Sequence, residues 1–211
     1  MKKEKISNNV IRRLPRYLRM LDELAAAGQM RISSSELGSK LGFTPSQIRQ
    51  DFSCFGEFGQ QGYGYNVPKL REQIAVILGT DRKYKAIVVG VGNIGHALMD
   101  NFCFTEWGFD VIRAFDVDKK IIGREFDGVL VSSIDELEKF VAENHVDMAV
   151  LTVSKDAAKS VAKRIEDCGI NAIWNFTNVE IAGPDSPLLV ENVHFSDSLL
   201  SLSYFITEAQ Q

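Results

Sequence analysis

Apolar residues in the first part of the chain recur at helical spacing, in segments separated by turn residues. Over residues 9–27 they stand three or four positions apart, and Gly28 follows as a stop signal. This pattern predicts a long amphipathic helix, then a short helix over 36–41 and a third helix over about 45–55. The apolar residues of the first helix are Val10, Leu14, Leu18, Leu21 and Leu24.

The start of the third helix carries an N-terminal signature. Thr44 supplies a capping hydroxyl, Pro45 takes the first helical position, and Gln47 stands where it would close a capping box. Two short helices joined by a glycine-containing turn indicate a helix-turn-helix, whose last helix lies in the major groove of DNA. Glycines alternating with aromatic residues over 56–66 predict a β-hairpin, or wing, and a further helix is expected over 68–78.

The rest of the chain alternates short apolar strands with helices. Strands are predicted over 86–89, 111–115, 147–153 and 172–175, with helices from 94, within 134–144 and over 156–168. This alternation indicates a doubly wound, mostly parallel sheet of the Rossmann type. We therefore expect an α/β protein with a winged-helix domain over 1–82 and a Rossmann domain over 83–211.

The last predicted helix, over 197–208, has a broad apolar face for a terminal helix. Leu199, Leu202, Phe205 and Ile206 stand at helical spacing within it. We expect this face to be buried against a second subunit, as a dimerisation helix, while packing on its own domain stays open.

The charge is divided unevenly along the chain. Residues 1–84 hold 14 Lys and Arg against 8 Asp and Glu, and residues 85–211 hold 10 against 20, which makes +6 and −10 within the formal −4 of the chain. This division places any contact with DNA phosphates in the first domain.

The composition also bears on location and on metal binding. No apolar run reaches the roughly 18 residues of a membrane span, and the basic first residues lead into no apolar signal-peptide core. Cys54, Cys103 and Cys168 form no CxxC pair, which favours reduced thiols over a disulfide framework or a zinc site. We expect a cytoplasmic protein that holds no metal ion.

Residues 90–95 match the GxGxxG fingerprint of dinucleotide binding and follow a predicted strand. Gly90 permits the tight turn, Gly92 lets the backbone approach a pyrophosphate, and Gly95 allows close packing of helix on strand. A glycine-rich turn that binds nothing is the alternative. The candidate cofactor contacts of this turn are Gly90, Val91, Gly92, Asn93, Ile94, Gly95 and His96.

Asp116 lies 21 residues beyond Gly95, at the end of the second predicted strand. An acid there binds the adenosine ribose hydroxyls and repels a 2′-phosphate, which favours NAD(H) over NADP(H). Lys119 and Lys120 leave the opposite preference open, since a nearby cation can hold that phosphate.

The third helix and the wing supply the candidate contacts with DNA. Arg49 lies in the middle of the helix, and arginine paired to guanine is the commonest specific base contact. A salt bridge from Arg49 to Asp51, or plain exposure, is the alternative, and Tyr63 and Tyr65 either touch DNA or pack on the third helix. The DNA-binding candidates are Arg12, Arg16, Ser46, Gln47, Arg49, Gln50, Gln61 and Tyr63.

Catalysis finds little support in the sequence. His96, His145 and His194 are scattered, and no set of nucleophile, base and orienting group is recognisable. A nicotinamide without acid–base groups nearby indicates sensing and not turnover. The alternatives are an NAD-dependent dehydrogenase with a helical domain, and a DNA-binding module with another nucleotide-like ligand such as coenzyme A.

Taken in order, these stretches resemble one family, the redox-sensing transcriptional repressor Rex of Gram-positive bacteria. The similarity runs over nearly the whole chain and includes shorter matches at 151–153, 169–170, 174–176 and between Asp197 and Phe205. It rests mainly on residues 14–19 (LPRYLR), 48–52 (IRQDF), 55–65 (FGEFGQQGYGY), 89–95 (VGVGNIG) and 114–118 (AFDVD).

The resemblance implies a homodimer with exchanged C-terminal helices, which represses at a palindromic DNA operator when NADH is scarce and leaves it when NADH binds. It implies that residues 90–95 hold the pyrophosphate and Asp116 the ribose, and that Thr152 and Val153 lie near the nicotinamide. It also implies that Arg49 contacts DNA.

By the same resemblance, Asp197 takes part in an interdomain switch with an arginine of the first helix, for which we select Arg19. Three positions depart from the family's pattern. Gln50 stands where many relatives carry a basic residue, Phe102 where a tyrosine is common, and Ser154 where a proline follows Thr-Val. The operator sequence and the preference between NADH and NAD+ are therefore left open.

Overall fold

The computed structural model describes residues 6–56, 58–60, 63–183 and 186–210. The chain divides into two compact units, Met1–Arg82 and Lys83–Gln211. The first unit is mostly helical and the second is built on a sheet, which confirms the predicted combination of a winged helix-turn-helix with an α/β fold.

Four helices form the frame of the first unit, and side-chain caps fix where they begin. The Ser7 hydroxyl accepts a hydrogen bond from the amide of Asn9, and the Ser33 hydroxyl accepts one from the amide of Glu36. The helices are α1 (Asn8–Ala26), α2 (Ser34–Leu41), α3 (Pro45–Ser53) and α4 (Val67–Leu78). The third helix therefore ends two residues earlier than predicted.

The apolar faces of these helices meet in one core. Leu14, Leu21 and Ile48 are fully buried there, as their helical spacing predicted for α1. Phe52 of α3 packs edge to face against Tyr17 of α1, with ring centroids 5.0 Å apart. This core fixes α3 against α1 while the opposite face of α3 stays exposed.

A small antiparallel sheet closes the first unit. Its strands are β1 (Arg31–Ile32), β2 (Gly59–Gln60) and β3 (Gly64–Asn66), in the order β1-β3-β2. Strands β2 and β3 form the predicted wing, with Gly59 opposite Tyr65. The short segment after α1 joins them as β1, with Arg31 opposite Asn66.

The second unit holds a seven-stranded sheet with helices between its strands. The strands are β4 (Tyr84–Val89), β5 (Phe109–Asp116), β6 (Glu125–Phe126), β7 (Val129–Ser133), β8 (Met148–Leu151), β9 (Ala172–Asn175) and β10 (Leu189–Asn192). The helices are α5 (Asn93–Asn101), α6 (Leu137–Glu143), α7 (Ala158–Asp167) and α8 (Phe195–Glu208), with single 3₁₀ turns at Phe104–Trp107 and Ile134–Glu136.

The strand order is that of a dinucleotide-binding fold. The sheet runs β10-β9-β8-β4-β5-β7-β6, and all neighbours are parallel except β6 and β7. Counted along the chain without the antiparallel β6, the order is 3-2-1-4-5-6, in which the crevice between strands 1 and 4 opens beside the cofactor-binding turn. Here those two strands are β4 and β8.

Three strands of this sheet were not predicted from the sequence. β6 and β7 form a hairpin whose turn residues, Asp127 and Gly128, have φ values of 46° and 75°. Asp-Gly between apolar residues is a hairpin signal, so this pair was accessible to sequence reasoning. β10 is a four-residue edge strand whose pairing depends on β9.

Helix α8 has no buried residue in the single chain. Leu199, Leu202 and Phe205 are 67%, 53% and 65% exposed. The alternative that this face packs on its own domain therefore does not hold for the described residues. Across the described part of the chain, no helix is both long and apolar enough to cross a membrane.

Candidate cofactor site and nucleic-acid interface

The glycine-rich turn joins β4 to α5 and is held against the end of β8. Gly90 has φ of 95°, and a Cβ there would lie 2.8 Å from the backbone of Thr152. A Cβ on Gly95 would lie 2.1 Å from the carbonyl oxygen of Gly90. Neither position accepts a side chain, because backbone atoms already fill the space.

Thr152 locks this turn from the neighbouring strand. Its hydroxyl donates to the carbonyl oxygen of Gly90 at 2.5 Å, and its amide donates to the carbonyl oxygen of Val89 at 2.9 Å. Val153 follows it and packs on the core of the sheet. The structure therefore brings Thr152 and Val153 to the crevice between β4 and β8.

The middle of the turn faces open space. A Cβ on Gly92 would meet no atom within 4 Å, and Gly92 is the N-cap of α5, which it caps without a side chain. Asn93 and Ile94 are exposed in the first turn of α5, whereas Val91 is buried. Backbone N–H groups at a helix start carry partial positive charge, so this place suits a phosphate oxygen.

Asp116 ties the end of β5 to the glycine-rich turn. Its Oδ2 accepts a hydrogen bond from the amide of Val91 at 2.5 Å, and its Oδ1 accepts from the amides of Val117 and Asp118 at 2.7 and 2.8 Å. The carboxylate is half-buried, while Val117 beside it is 76% exposed. Asp116 thus stands next to the glycine-rich turn, with further lone pairs that could accept from a ligand hydroxyl.

His96 points along the surface of α5. Its Nε2 lies 3.2 Å from Oδ2 of Asp100, and its ring packs edge to face on Phe126 with centroids 4.6 Å apart. The first contact lies along α5 itself, and the second joins the imidazole to the β6 hairpin. Among the described residues, no group of three or more His, Cys, Asp or Glu side chains is placed to hold a metal ion.

The exposed face of α3 is the candidate nucleic-acid interface of the first unit. Ser46, Arg49 and Gln50 are exposed along it. Arg49 Nη1 donates to the hydroxyl of Ser34 at 3.1 Å. The alternative pairing of Arg49 with Asp51 is not what the structure shows, because Asp51 faces the opposite way.

Asp51 is fully buried and is the acceptor for three side chains. Arg13 donates to both carboxylate oxygens, at 2.6 and 2.7 Å, Tyr17 donates from its hydroxyl at 2.7 Å, and Gln47 donates from its amide at 2.8 Å. Burial alone would raise the pKa of Asp51, but the hydrogen bonds from Arg13, Tyr17 and Gln47 outweigh it and lower that pKa. Burial and the bond to Asp51 raise the pKa of Tyr17.

Gln47 therefore does not close the predicted capping box. The Thr44 hydroxyl accepts from the amide of Gln47 at 3.1 Å, which is one half of the box. The side chain of Gln47 donates to Asp51 instead of reaching back to the cap. A buried carboxylate is a stronger acceptor than the alternatives in the first helical turn, so it determines where this side chain lies.

The wing residues divide between surface and core. Tyr63 is 69% exposed, and Arg31 donates to its carbonyl oxygen at 3.3 Å and lies 5.9 Å from its ring centroid. Tyr65 is buried and packs edge to face on Phe52 of α3, with ring centroids 5.1 Å apart. Of the two predictions for Tyr65, contact with DNA or packing on the third helix, the structure shows packing. Gln61 lies outside the described residues.

The arginines of α1 lie in different environments. Arg16 donates from Nη2 to the carbonyl oxygen of Leu41 at 2.9 Å, and its guanidinium lies 4.4 Å from the centroid of the Phe43 ring. Arg12 and Arg19 are exposed. Asp197 is exposed in the first turn of α8, in the second unit.

Sequence reasoning did not single out the partners of Asp51. Arg13 and Asp51 are 38 positions apart, and no local pattern links them. Two signals were available: an acid in a helix expected to face DNA needs a partner, and Gln47 stands four residues before Asp51, a spacing that brings two helical side chains together.

Two family models match the chain. One is described as a putative DNA-binding protein N-terminus and matches residues 5–53. The other is described as a CoA binding domain and matches residues 81–179. These ranges coincide with α1 to α3 and with most of the sheet.

Individual proteins match over almost the full length. The redox-sensing transcriptional repressor Rex of Clostridium beijerinckii is 48% identical over 209 residues, which are 99% of this chain and 99% of the relative. The crystal structure of RSP with β-NAD+ and operator DNA has a TM-score of 0.91 and 44% identity over 98% of this chain and 94% of that one. RSP with β-NADH has a TM-score of 0.90 and 41% identity over 97% and 96%.

RSP is described as a Rex-family repressor. Identity at this level over the whole length goes well beyond a shared fold, and it covers the glycine-rich turn, Asp116 and α3 together. The chain belongs to the Rex family of redox-sensing transcriptional repressors.

Proposed function

We propose that the chain is a transcriptional repressor that binds a palindromic DNA operator as a homodimer and leaves it when NADH binds, so that transcription follows the NADH/NAD+ ratio. The observation that carries this proposal is a helix-turn-helix unit joined in one chain to a sheet of the dinucleotide-binding order. The related RSP has been crystallised with NAD+ and operator DNA and with NADH.

In this proposal the second unit, residues 83–211, binds NAD(H). The open backbone of residues 91–94 receives the pyrophosphate, because the start of α5 carries partial positive charge and a Cβ at Gly92 would meet nothing. Asp116 accepts from a ribose hydroxyl, and Thr152 and Val153 flank the nicotinamide in the crevice beside β4. His96 borders the pyrophosphate from α5.

The first unit, residues 1–82, binds DNA in this proposal. Ser46, Arg49 and Gln50 face the major groove from α3, because all three lie on its exposed side and its other face is buried. Tyr63 approaches from the wing, and Gln61, which lies outside the described residues, stays a DNA-binding candidate from the sequence. Arg12 and Arg16 of α1 contact phosphates, in keeping with the basic balance of this part of the chain.

Helix α8 supports the homodimer. A run of leucines and aromatic residues that is more than half exposed in one chain forms the kind of apolar patch that marks a protein interface. The acidic first turn of α8 carries Asp197, and we propose that it pairs with Arg19 across the domains in one of the two states. Charge reversal at both positions, Arg19→Asp with Asp197→Arg, should restore the release by NADH that either single change alters.

NADH acts in this scheme only through a difference in affinity between the DNA-bound and released states. Moving such an equilibrium from 1:99 to 99:1 needs about 5.5 kcal/mol of differential binding, or about 2.7 kcal/mol for each of two sites. A neutral reduced nicotinamide enters an apolar crevice more easily than the charged oxidised ring does. The response is therefore to the ratio of the two forms.

The test is a mobility-shift titration of the full chain on a palindromic promoter fragment. NADH, NAD+ and coenzyme A are added separately at equal concentration, with Arg49→Ala as the variant that should weaken binding to DNA. Release by NADH alone supports the proposal. Equal release by NADH and NAD+ would contradict ratio sensing, and release by coenzyme A would move the assignment to another nucleotide ligand.

We also propose that the protein is not an enzyme and that it acts in the cytoplasm, where it meets both DNA and the NAD(H) pool. Each of the three histidines lies within 3.5 Å of a carboxylate oxygen, from Asp100, Asp147 or Glu180. Steady oxidation of NADH with small carbonyl compounds would contradict this part of the proposal.

A further inference from the structure

Gln47 stands at the edge of the exposed face of α3. It follows Ser46 in the first turn of the helix and is half-buried, between the exposed residues and the fully buried Asp51 one turn later. Its amide nitrogen donates to Oδ1 of Asp51 at 2.8 Å. The Gln47 side chain therefore lies next to the exposed face of α3 and also contacts the interior of the first unit.

The chemistry of Asp51 determines which way the Gln47 amide points. The Asp51 carboxylate is paired with Arg13 through two hydrogen bonds and also accepts from Tyr17, so it is ionised and has no hydrogen to donate. Only the nitrogen of the Gln47 amide can face such a group. The carbonyl oxygen must face away from it, which removes the usual ambiguity between the two ends of an amide.

What Gln47 offers outward is one acceptor next to one donor. Its carbonyl oxygen has no hydrogen-bond partner among the residues that the structure describes, and one of its two N–H groups is left after the bond to Asp51. In the major groove, adenine presents an N–H donor at N6 beside an acceptor at N7. Guanine presents two acceptors there, cytosine a donor and thymine an acceptor beside a methyl group.

We propose that Gln47 reads an adenine in each half of the operator, and that Asp51 and Arg13 are the positioning residues that hold its amide in the reading orientation. This inference rests on the proposed function, because it needs α3 to lie in the major groove. Pre-orientation favours recognition, since the side chain gives up no rotational freedom when it binds. Arg49, whose guanidinium suits guanine, would contact a different base of the same half-site.

Gln50 is the matched control on the same helix. It is exposed, and among the described residues its backbone carbonyl oxygen accepts from Ser53 and Cys54 while its side chain makes no hydrogen bond. Its amide is free to turn either way in the described structure. The two glutamines thus differ in the feature that the inference depends on.

The experiment begins with selection of duplexes by the wild-type chain from a pool of palindromes with randomised half-sites. In the selected duplex, each adenine is then replaced by 7-deazaadenine, which removes N7 and keeps the base pair. Affinity is measured for the wild type, Gln47→Met and Gln50→Met, with NADH release recorded for each. Methionine keeps the length of the side chain and leaves Arg13 and Tyr17 on Asp51.

We expect one symmetry-related adenine at which 7-deazaadenine weakens wild-type binding about tenfold and does not affect Gln47→Met further. Gln50→Met should keep this sensitivity. In Asp51→Asn the new amide lets the Gln47 amide turn over, so the factor by which 7-deazaadenine weakens binding should fall. A uniform loss of stability would not change that factor. The inference is overturned if Gln47→Met loses the same affinity for every duplex, or if 7-deazaadenine weakens its binding as much as it weakens that of the wild type. Failure of the proposed function is separate, since it appears as wild-type protein that selects no duplex or ignores NADH.

Discussion

Asp51 accepts two parallel hydrogen bonds from the guanidinium of Arg13, at 2.6 Å from Nε to Oδ2 and at 2.7 Å from Nη2 to Oδ1. This pair joins α3 to α1, and its carboxylate is completely buried while the arginine side chain is 22% exposed. A paired geometry of this kind holds one helix at a set angle to another as well as neutralising a buried charge. The orientation of the candidate recognition helix therefore depends on a contact that does not face DNA.

Asp51→Asn should destabilise the first unit by about 3 kcal/mol, because removing one partner of a buried ion pair leaves the other charge uncompensated. Hydrogen exchange of peptides from α1 and α3 in the full chain measures the change. The matched control is Asp22→Asn, which removes a partly exposed pair with Arg71 between α1 and α4 and should cost about 1 kcal/mol or less. Equal costs for the two variants would contradict the special role of the buried pair.

Acid should weaken the same contact. The pKa of Asp51 is lowered in the folded chain, so its contribution to the free energy of unfolding is present above the unfolded pKa, about 3.9, and is lost as the pH falls below it. The difference in stability between wild type and Asp51→Asn should be constant from neutral pH to about pH 5 and shrink below about pH 4. A difference that stays the same at pH 3, by urea unfolding, would show that Asp51 does not carry it.

Two glycines of the β4–α5 turn should respond differently to alanine. Gly95→Ala places a Cβ against the Gly90 carbonyl oxygen and should lower the melting temperature of the second unit, with loss of NADH binding. Gly92→Ala meets open space, so the melting temperature should hold while NADH binding weakens about tenfold or more. Thermal unfolding with and without NADH separates these outcomes, and a destabilised Gly92→Ala would contradict the open turn.

Asp116 should set the choice between NADH and NADPH. Asp116→Ala removes the acceptor for a ribose hydroxyl and for the amide of Val91, so NADH should bind about tenfold more weakly. It also removes the charge that repels a 2′-phosphate, so the ratio of NADPH to NADH affinity should rise. Titration calorimetry gives both constants. Asp118→Ala is the control and should leave the ratio unchanged, since the exposed Asp118 carboxylate accepts from the amide of Lys120 and not from the glycine-rich turn among the described residues.

The face of α8 should hold the dimer together. Leu202→Asp puts a charge into a leucine-rich interface and should shift the chain from dimer to monomer, since burying an unpaired carboxylate costs several kcal/mol. Sedimentation velocity measures the distribution. Leu189→Asp, on a β10 residue that is 71% exposed, is the control and should leave the dimer intact. A wild-type chain that sediments as a monomer would contradict the assignment of this helix.

The helices of the first unit and the alternation of strands and helices in the second could be predicted from the sequence, because both depend on local regularities. Helical spacing places Leu14, Leu18 and Leu21 on one face whatever surrounds them. The GxGxxG turn is equally local, since Gly90 and Gly95 are required by the course of their own backbone. The strands β6 and β7 were missed although the Asp-Gly turn between them is a local signal, whereas β10 is an edge strand defined by its pairing with β9.

Only the tertiary structure decided which residues share a contact. The sequence placed Gln47 in a capping box and left Asp51 as a possible partner of Arg49, both of them neighbours along the chain. The structure gives Asp51 to Arg13, 38 positions away, and Gln47 follows Asp51. Such contacts arise when two helices pack on a common core. A buried carboxylate is costly unless it is paired, whereas a carboxylate on the surface is solvated by water and gains little from a partner. The sequence determines which groups must be satisfied, and packing determines which partner satisfies them.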